Sequence, residues 1–239
     1  MPSFTLLELA GRIMPEQADH SAPSGFGAAF STDRNIQQIG FHHRDAIRLL
    51  FILVVGSEET EDGERIFRGE KRAMAMDFLV RYPDYLADEL LNRYERERDL
   101  ASLQAARQIF ERDEPDVRTV AMVRWRRGAF QNIEMPLSIL TAHGLVRALK
   151  QTAGHKRHDF IVTQAALAFV AKIEREQPTL TWYRDRVQLV MTLAGFRSGS
   201  SLKDDQYLHP EYRGAPHGTE IPSIKGRVLT RLDSLRWRG

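Results

Sequence analysis

Gln131-Asn-Ile-Glu-Met-Pro-Leu-Ser-Ile-Leu-Thr-Ala-His-Gly144, followed at once by Leu145-Val-Arg-Ala-Leu-Lys150, changes its period in mid-stretch, and that change decides the fold. Up to Gly144 the apolar residues Ile133, Leu137 and Leu140 recur at helical spacing; beyond it apolar and polar residues alternate as in a strand. Asn132 is placed to cap the helix, Pro136 fits only its first turn, and Gly144 supplies a left-handed residue to end it. A second alternating segment, Asp159-Phe-Ile-Val-Thr163, follows the basic run Gln151-Thr-Ala-Gly-His-Lys-Arg-His158, so the two segments read as a hairpin. Thr163 then caps a helix over Gln164 to Glu176, with Ala166, Phe169, Val170 and Ile173 on one face and Pro178 just beyond its end.

Working upstream, Arg118-Thr-Val-Ala-Met-Val-Arg-Trp-Arg-Arg-Gly128 sets Val120, Val123 and Met122 or Arg127 about a turn apart, and reads as a further helix ended by Gly128. Helix, helix, hairpin, helix is the order of a winged helix-turn-helix, here over residues 118–170. The expected fold is therefore mainly α with a small β wing, flanked by N- and C-terminal helical segments. A two-stranded wing alone is marginal in water, so those flanks must cover it. The implied division is an arm over 1–38, a helical lobe over 39–114, the winged helix over 115–177 and a C-terminal helical segment over 178–239.

The chain has 239 residues, 42% of them hydrophobic and 28% charged, which is a globular balance with enough length for a sizeable core. There is no cysteine, so disulfides, thiolate zinc sites and cysteine nucleophiles are excluded. No run approaches the roughly 18 apolar residues of a membrane helix, and Met1-Pro-Ser-Phe-Thr lacks a basic leader, which points to the cytoplasm and to no membrane partner.

Outside the central stretch, an apolar helix is expected from Gly40 to Val55, opened by His42-His43, whose adjacent side chains cannot share a metal. Ser57-Glu-Glu-Thr-Glu-Asp-Gly-Glu64 reads as an acidic connector. A helix over Gly69 to Val80 is broken by Tyr82-Pro83, and Asp84 caps the next. Beyond Pro178, Trp182 to Ala194 is amphipathic and closed by Gly195; Phe196-Arg-Ser-Gly-Ser-Ser-Leu-Lys203 reads as a turn that lacks the Gly-Lys-Ser/Thr of a Walker loop. In the tail, Ile224, Val228, Leu232 and Leu235 fall on one side, and internal packing is favoured over presentation to a partner.

No catalytic constellation, cofactor motif or metal-ligand spacing emerges, and the chain is not expected to be an enzyme. Net charge is only +2, but Arg118, Arg124, Arg126, Arg127, Arg147, Lys150, Lys156 and Arg157 face only Glu134 and Asp159 between residues 118 and 163. The contact set for nucleic acid or a partner is thus Arg124, Arg126, Arg127, Gln131, Asn132, His155, Lys156, Arg157 and His158. In the helix before the wing only Gln131 and Asn132 suit base edges, and Glu134 would repel phosphates. The charge pattern favours sugar-phosphate backbone or an acidic protein surface over sequence reading.

Three places carry a family likeness: Met76-Asp-Phe-Leu-Val-Arg-Tyr-Pro-Asp-Tyr-Leu86; His143-Gly-Leu-Val146 with Phe160-Ile-Val-Thr163; and Tyr183-Arg-Asp-Arg-Val187 through Ser198-Gly-Ser-Ser-Leu-Lys203 to Tyr207. On these the chain resembles the middle component of bacterial ABC-three-component systems, the Lamassu-type antiviral defence operons. That resemblance implies a non-catalytic accessory subunit that joins an SMC-like ATPase to an effector such as a nuclease and helps the complex hold foreign DNA. The competing expectation is a dimeric winged-helix transcriptional regulator on an operator, and a third is a winged fold used for protein contact alone.

Overall fold

The computed structural model describes residues 29–111, 123–125, 128–130, 133–150 and 158–236. Its axis is the helix α1, Ala29–Val55, in which every residue from Asp45 to Val54 is buried. A helix that is apolar nearly all round has no solvent face and must be enclosed. Ile47, Leu50, Phe51, Ile52 and Leu53 are at most 1% exposed, and each such side chain contributes roughly 1.5–3 kcal/mol on burial.

A hairpin follows, β1 (Glu58–Glu59) and β2 (Arg65–Phe67), then α2 (Glu70–Arg81), α3 (Pro83–Glu97) and α4 (Leu100–Glu111). Next come β3 (Val123–Trp125), β4 (Gly128–Phe130), α5 (Glu134–Ala142), β5 (Val146–Lys150), β6 (His158–Val162) and α6 (Gln164–Glu176). A 3-10 turn over Pro178–Leu180 leads to α7 (Thr181–Ala194), α8 (Gly199–Leu208), α9 (Pro210–Gly214) and α10 (Lys225–Arg236). The fold is mostly helical, with one antiparallel sheet in the order β1-β2-β6-β5 and a separate pair β3-β4. Helices α2, α5, α6 and α7 all pack on α1.

Several sequence expectations change here. Arg118–Gly128 is not one helix: Val123–Trp125 pairs with Gly128–Phe130, in register Val123↔Phe130 and Trp125↔Gly128. The Val-Arg-Trp alternation at period 2 prevails over the weaker helical spacing, and Gly128 opens a strand instead of closing a helix. The acidic connector is a hairpin whose β2 pairs with β6 through Arg65↔Val162, Ile66↔Ile161 and Phe67↔Phe160. Helix α1 begins at Ala29, so residues 29–38 belong to it and not to an arm. The cap of α5 falls on Ile133, without a side-chain bond, rather than on Asn132. Asp84 lies in the first turn of α3, after an N-cap at Tyr82. The turn expected at 196–203 instead opens α8, with Ser198 as its cap.

Two close approaches fix the layers. A Cβ on Gly56 would lie 2.7 Å from the Phe67 ring, so the end of α1 can meet β2 only through glycine. A Cβ on Gly199 would lie 2.4 Å from the backbone of Lys71 and Arg72, so α8 abuts the first turn of α2 backbone to backbone. At the other end of the molecule α10 lies on α3. Its Val228 and Leu232 are buried, and Asp84 Oδ2 accepts from Ser223 Oγ at 2.6 Å and from the Ile224 amide at 2.7 Å.

Candidate partner interface at α5 and the β5–β6 hairpin

Helix α5 turns Ile133, Pro136 and Leu140 inward and leaves Glu134, Met135, Ser138, Thr141 and Ala142 exposed. Met135 is 51% exposed, a large apolar side chain at the N-terminal end of that outer face. No Lys or Arg lies on the helix. His143 is its C-cap, Gly144 follows at φ 67°, and the Leu145 amide returns to the Leu140 carbonyl at 2.9 Å. The chain therefore passes from helix to strand across three residues, His143 to Leu145. Thr163 closes the far side: its hydroxyl lies 2.9 Å from the Gly144 carbonyl and 3.0 Å from that of Leu145, and its Oγ1 accepts from the Ala166 amide at 3.2 Å as the cap of α6.

The hairpin runs in the register Val146↔Val162, Ala148↔Phe160 and Lys150↔His158. On β5 Val146 is buried while Arg147 and Ala148 are both exposed, so strict alternation fails there. Strand β6 departs from it because both its faces are covered, and Asp159 through Val162 are all buried.

Of the nine proposed contact residues, His158 is placed at the exposed start of β6, opposite Lys150, and Arg124 lies on β3 opposite Ala129. Arg126, Arg127, Gln131, Asn132, His155, Lys156 and Arg157 lie outside the described residues, as does Arg118 of the wider basic set. Two charges of the patch have other roles. Arg147 meets Glu64 at 3.3 Å, so the acidic hairpin connection lies over the sheet and offsets part of the positive field. Asp159 is fully buried and accepts from the Gly69 amide at 2.9 Å, where a carboxylate is favoured at the start of α2. Among the described residues no group of three or more His, Asp or Glu is placed to hold a metal ion, and no helix is long and apolar enough to cross a membrane.

Neither a family model, nor a curated protein, nor a solved structure matches this chain. The first stretch quoted for the resemblance, Met76 to Leu86, belongs to the core. Residues 75–88 are buried without a break. Within them Phe78 stacks on Tyr82 at 4.8 Å and meets Tyr85 and Tyr212 edge-on at 5.1 and 5.3 Å.

Sequence reasoning missed two buried charge networks. Arg48 donates at 2.6 Å to both Asp77 and Asp45, and Arg81 lies 3.0 Å from Asp77 and 3.3 Å from Asp45, so two cations and two anions lock α1 to α2. Burial opposes the charge on Arg48, but Asp77 and Asp45 outweigh it and hold the guanidinium above its ordinary range. Burial pushes the Asp77 carboxyl up against Arg48's opposing pull; with guanidinium contacts on both its oxygens, the geometry supports the ion-paired form. In the second network Asp88 meets Arg231 at 2.7 Å, Arg227 at 3.0 Å and His209 at 3.4 Å, while His209 Nε2 lies 2.7 Å from Glu89. The visible signals were charged pairs three or four residues apart on an otherwise apolar helix, Asp45/Arg48 and Asp77/Arg81.

Proposed function

We propose that this chain is a non-catalytic adaptor subunit whose winged-helix-type module, α5 with the β5–β6 hairpin, docks a protein partner. The observation that carries this reading is the outer face of α5. In a winged helix that reads DNA, the helix before the wing brings cations and amides to the groove. Here that position offers Glu134, Met135, Ser138 and Thr141, with an exposed methionine in the first turn and no positive charge. Methionine suits an adaptable protein interface, and a carboxylate there repels phosphates. The likeness to ABC-three-component middle subunits supplies the partners: an SMC-like ATPase and an effector in an antiviral complex. Any DNA contact then falls to the backbone and to the basic residues of the hairpin region.

The test is co-purification with a coiled-coil ATPase encoded beside this gene, using the full chain and a Met135→Glu variant. Stable complex formation that is lost in the variant, with unchanged melting temperature, supports the adaptor. Footprinting of a palindromic site at nanomolar protein would instead establish the regulator. Salt-steep binding without sequence preference, weakened by Lys156→Glu with Arg157→Glu, is expected if the hairpin also grips backbone.

A further inference from the structure

We propose a second site: the crevice where the N-terminal ends of α2 and α8 meet binds a terminal phosphoryl group. It lies by β1, at the opposite edge of the sheet from β5, and stands independently of the partner interface.

The crevice has a volume of 130 Å³ and is lined by Arg68, Gly69, Arg72, Arg197, Ser198 and Gly199, with Glu58 beside them. Both helices direct their positive ends to it, and Gly199 lets them approach until backbone touches backbone. Two like dipole ends in contact repel, and an anion between them relieves the repulsion. At α8 the Ser198 hydroxyl satisfies the Ser201 amide at 3.2 Å, while the amides of Gly199 and Ser200 find no acceptor among the described residues.

Arg72 is the independent observation. It is 3% exposed, and no carboxylate of the described residues pairs with it. Its Nη1 donates to the Gly56 carbonyl at 3.2 Å and its Nη2 to that of Gly195 at 2.6 Å, with Met191 Sδ at 3.4 Å, whereas Nε–H has no acceptor. Burial pulls its pKa down, and only the charge of Glu58 opposes that. Its guanidinium also lies 4.8 Å over the Phe67 ring, so its partners are carbonyls, a thioether and a ring, and beside two helix N-termini no carboxylate bonds to it.

The resident anions define the competition. Asp159 holds the Gly69 amide from the sheet side, Asp205 holds Arg197 at 2.6 Å, and Glu58 sits 3.8 Å from Arg68. Glu58 is the nearest thing to an internal stand-in, and an incoming phosphoryl group must displace it. At 130 Å³ the crevice is close in size to a ~150 Å³ cavity that takes one benzene ring, enough for a single phosphoryl group. A terminal phosphate enters such a recess more readily than a phosphodiester carrying sugar on both sides. The chemistry is shared by free phosphate, a mononucleotide and the 5′ end of a nucleic acid.

The experiment is phosphorus NMR or calorimetric titration of the full chain with inorganic phosphate at low ionic strength. Saturable binding is expected, strengthening from roughly pH 6 to 8.5 as inorganic phosphate passes from one charge to two. Arg68→Glu should weaken it about tenfold or more, and Glu58→Gln should tighten it about threefold or more, each by altering one unit charge at the crevice mouth. Both side chains are part-exposed, and a gain of affinity in Glu58→Gln cannot arise from misfolding. A 5′-phosphorylated oligonucleotide that outcompetes its 5′-hydroxyl twin assigns the site to nucleic-acid ends, while phosphate binding without that preference assigns it to small phosphates. Absence of phosphate binding, or binding indifferent to both variants, overturns the proposal.

Discussion

Replacing His209 by glutamine should weaken the protein by an amount that depends on pH in a defined way. His209 has a side chain 6% exposed, wedged between Asp88 at 3.4 Å and Glu89 at 2.7 Å. Burial favours the neutral ring, but hydrogen bonds to both carboxylates, reinforced by their charge, raise the pKa from 6.5 to about 9. Because the folded value is the higher, the stabilisation is fully present below the unfolded pKa and disappears as pH rises through the folded one. At 1.36 kcal/mol per unit, the imidazolium contributes about 3 kcal/mol at pH 6, about 1 at pH 8 and well under about 1 at pH 9. Urea unfolding of wild type and His209→Gln at pH 6, 7, 8, 9 and 10 measures this directly. The difference between them should shrink steadily from pH 6 to 9 and level off by pH 10. A difference that stays constant across that range would refute the charged-histidine account and leave only a packing role.

Asp88→Asn removes the acceptor shared by Arg227, Arg231 and His209, and should cost roughly 3 kcal/mol or more, with amide exchange rising first over α10. Its carboxyl is depressed from 3.8 to about 2, so the contribution it makes above pH 4 should fade as acid titration approaches pH 2 in urea-midpoint measurements. Gly199→Ala should destabilise by roughly 2 kcal/mol or more in thermal unfolding, since its Cβ would lie 2.4 Å from immovable backbone. Gly144→Ala meets no atom within 4 Å and carries only the strain of φ 67°, so a loss of about 1 kcal/mol is expected. Equal losses at the two glycines would contradict the backbone-contact reading of Gly199.

The parts legible in sequence were those whose signals are local. The hairpin over 145–163, the Thr163 cap, the Gly144 and Gly195 helix ends and the internal face of the tail helix all rest on residues within one turn of each other. What stayed hidden depends on distant pairing. Arg65-Ile-Phe67 is too short to announce a strand, and becomes one because β6, nearly a hundred residues later, offers its edge. Helix α4, over Leu100–Glu111, follows the mixed charges Glu95-Arg-Glu-Arg-Asp99 and buries only the narrow face of Ser102, Leu103, Ala106 and Ile109, a weak periodic signal. At the candidate interface, the charge tally of the sequence could not foresee that Glu64 folds back onto Arg147 or that Asp159 turns inward to Gly69. The Arg197-Ser-Gly-Ser-Ser motif looked like an ordinary turn because its meaning lies in what Gly199 touches.

The enclosed stretch of α1 also bears on how the molecule is made. It leaves the ribosome ahead of α5, α6 and α7, which cover it and are encoded up to some 140 positions later. At ~5–20 residues per second, an unclad greasy rod would face water for roughly ten seconds or longer during each round of synthesis. Holdase binding to the nascent chain, and poor yields of any version shortened before residue 194, follow from that delay.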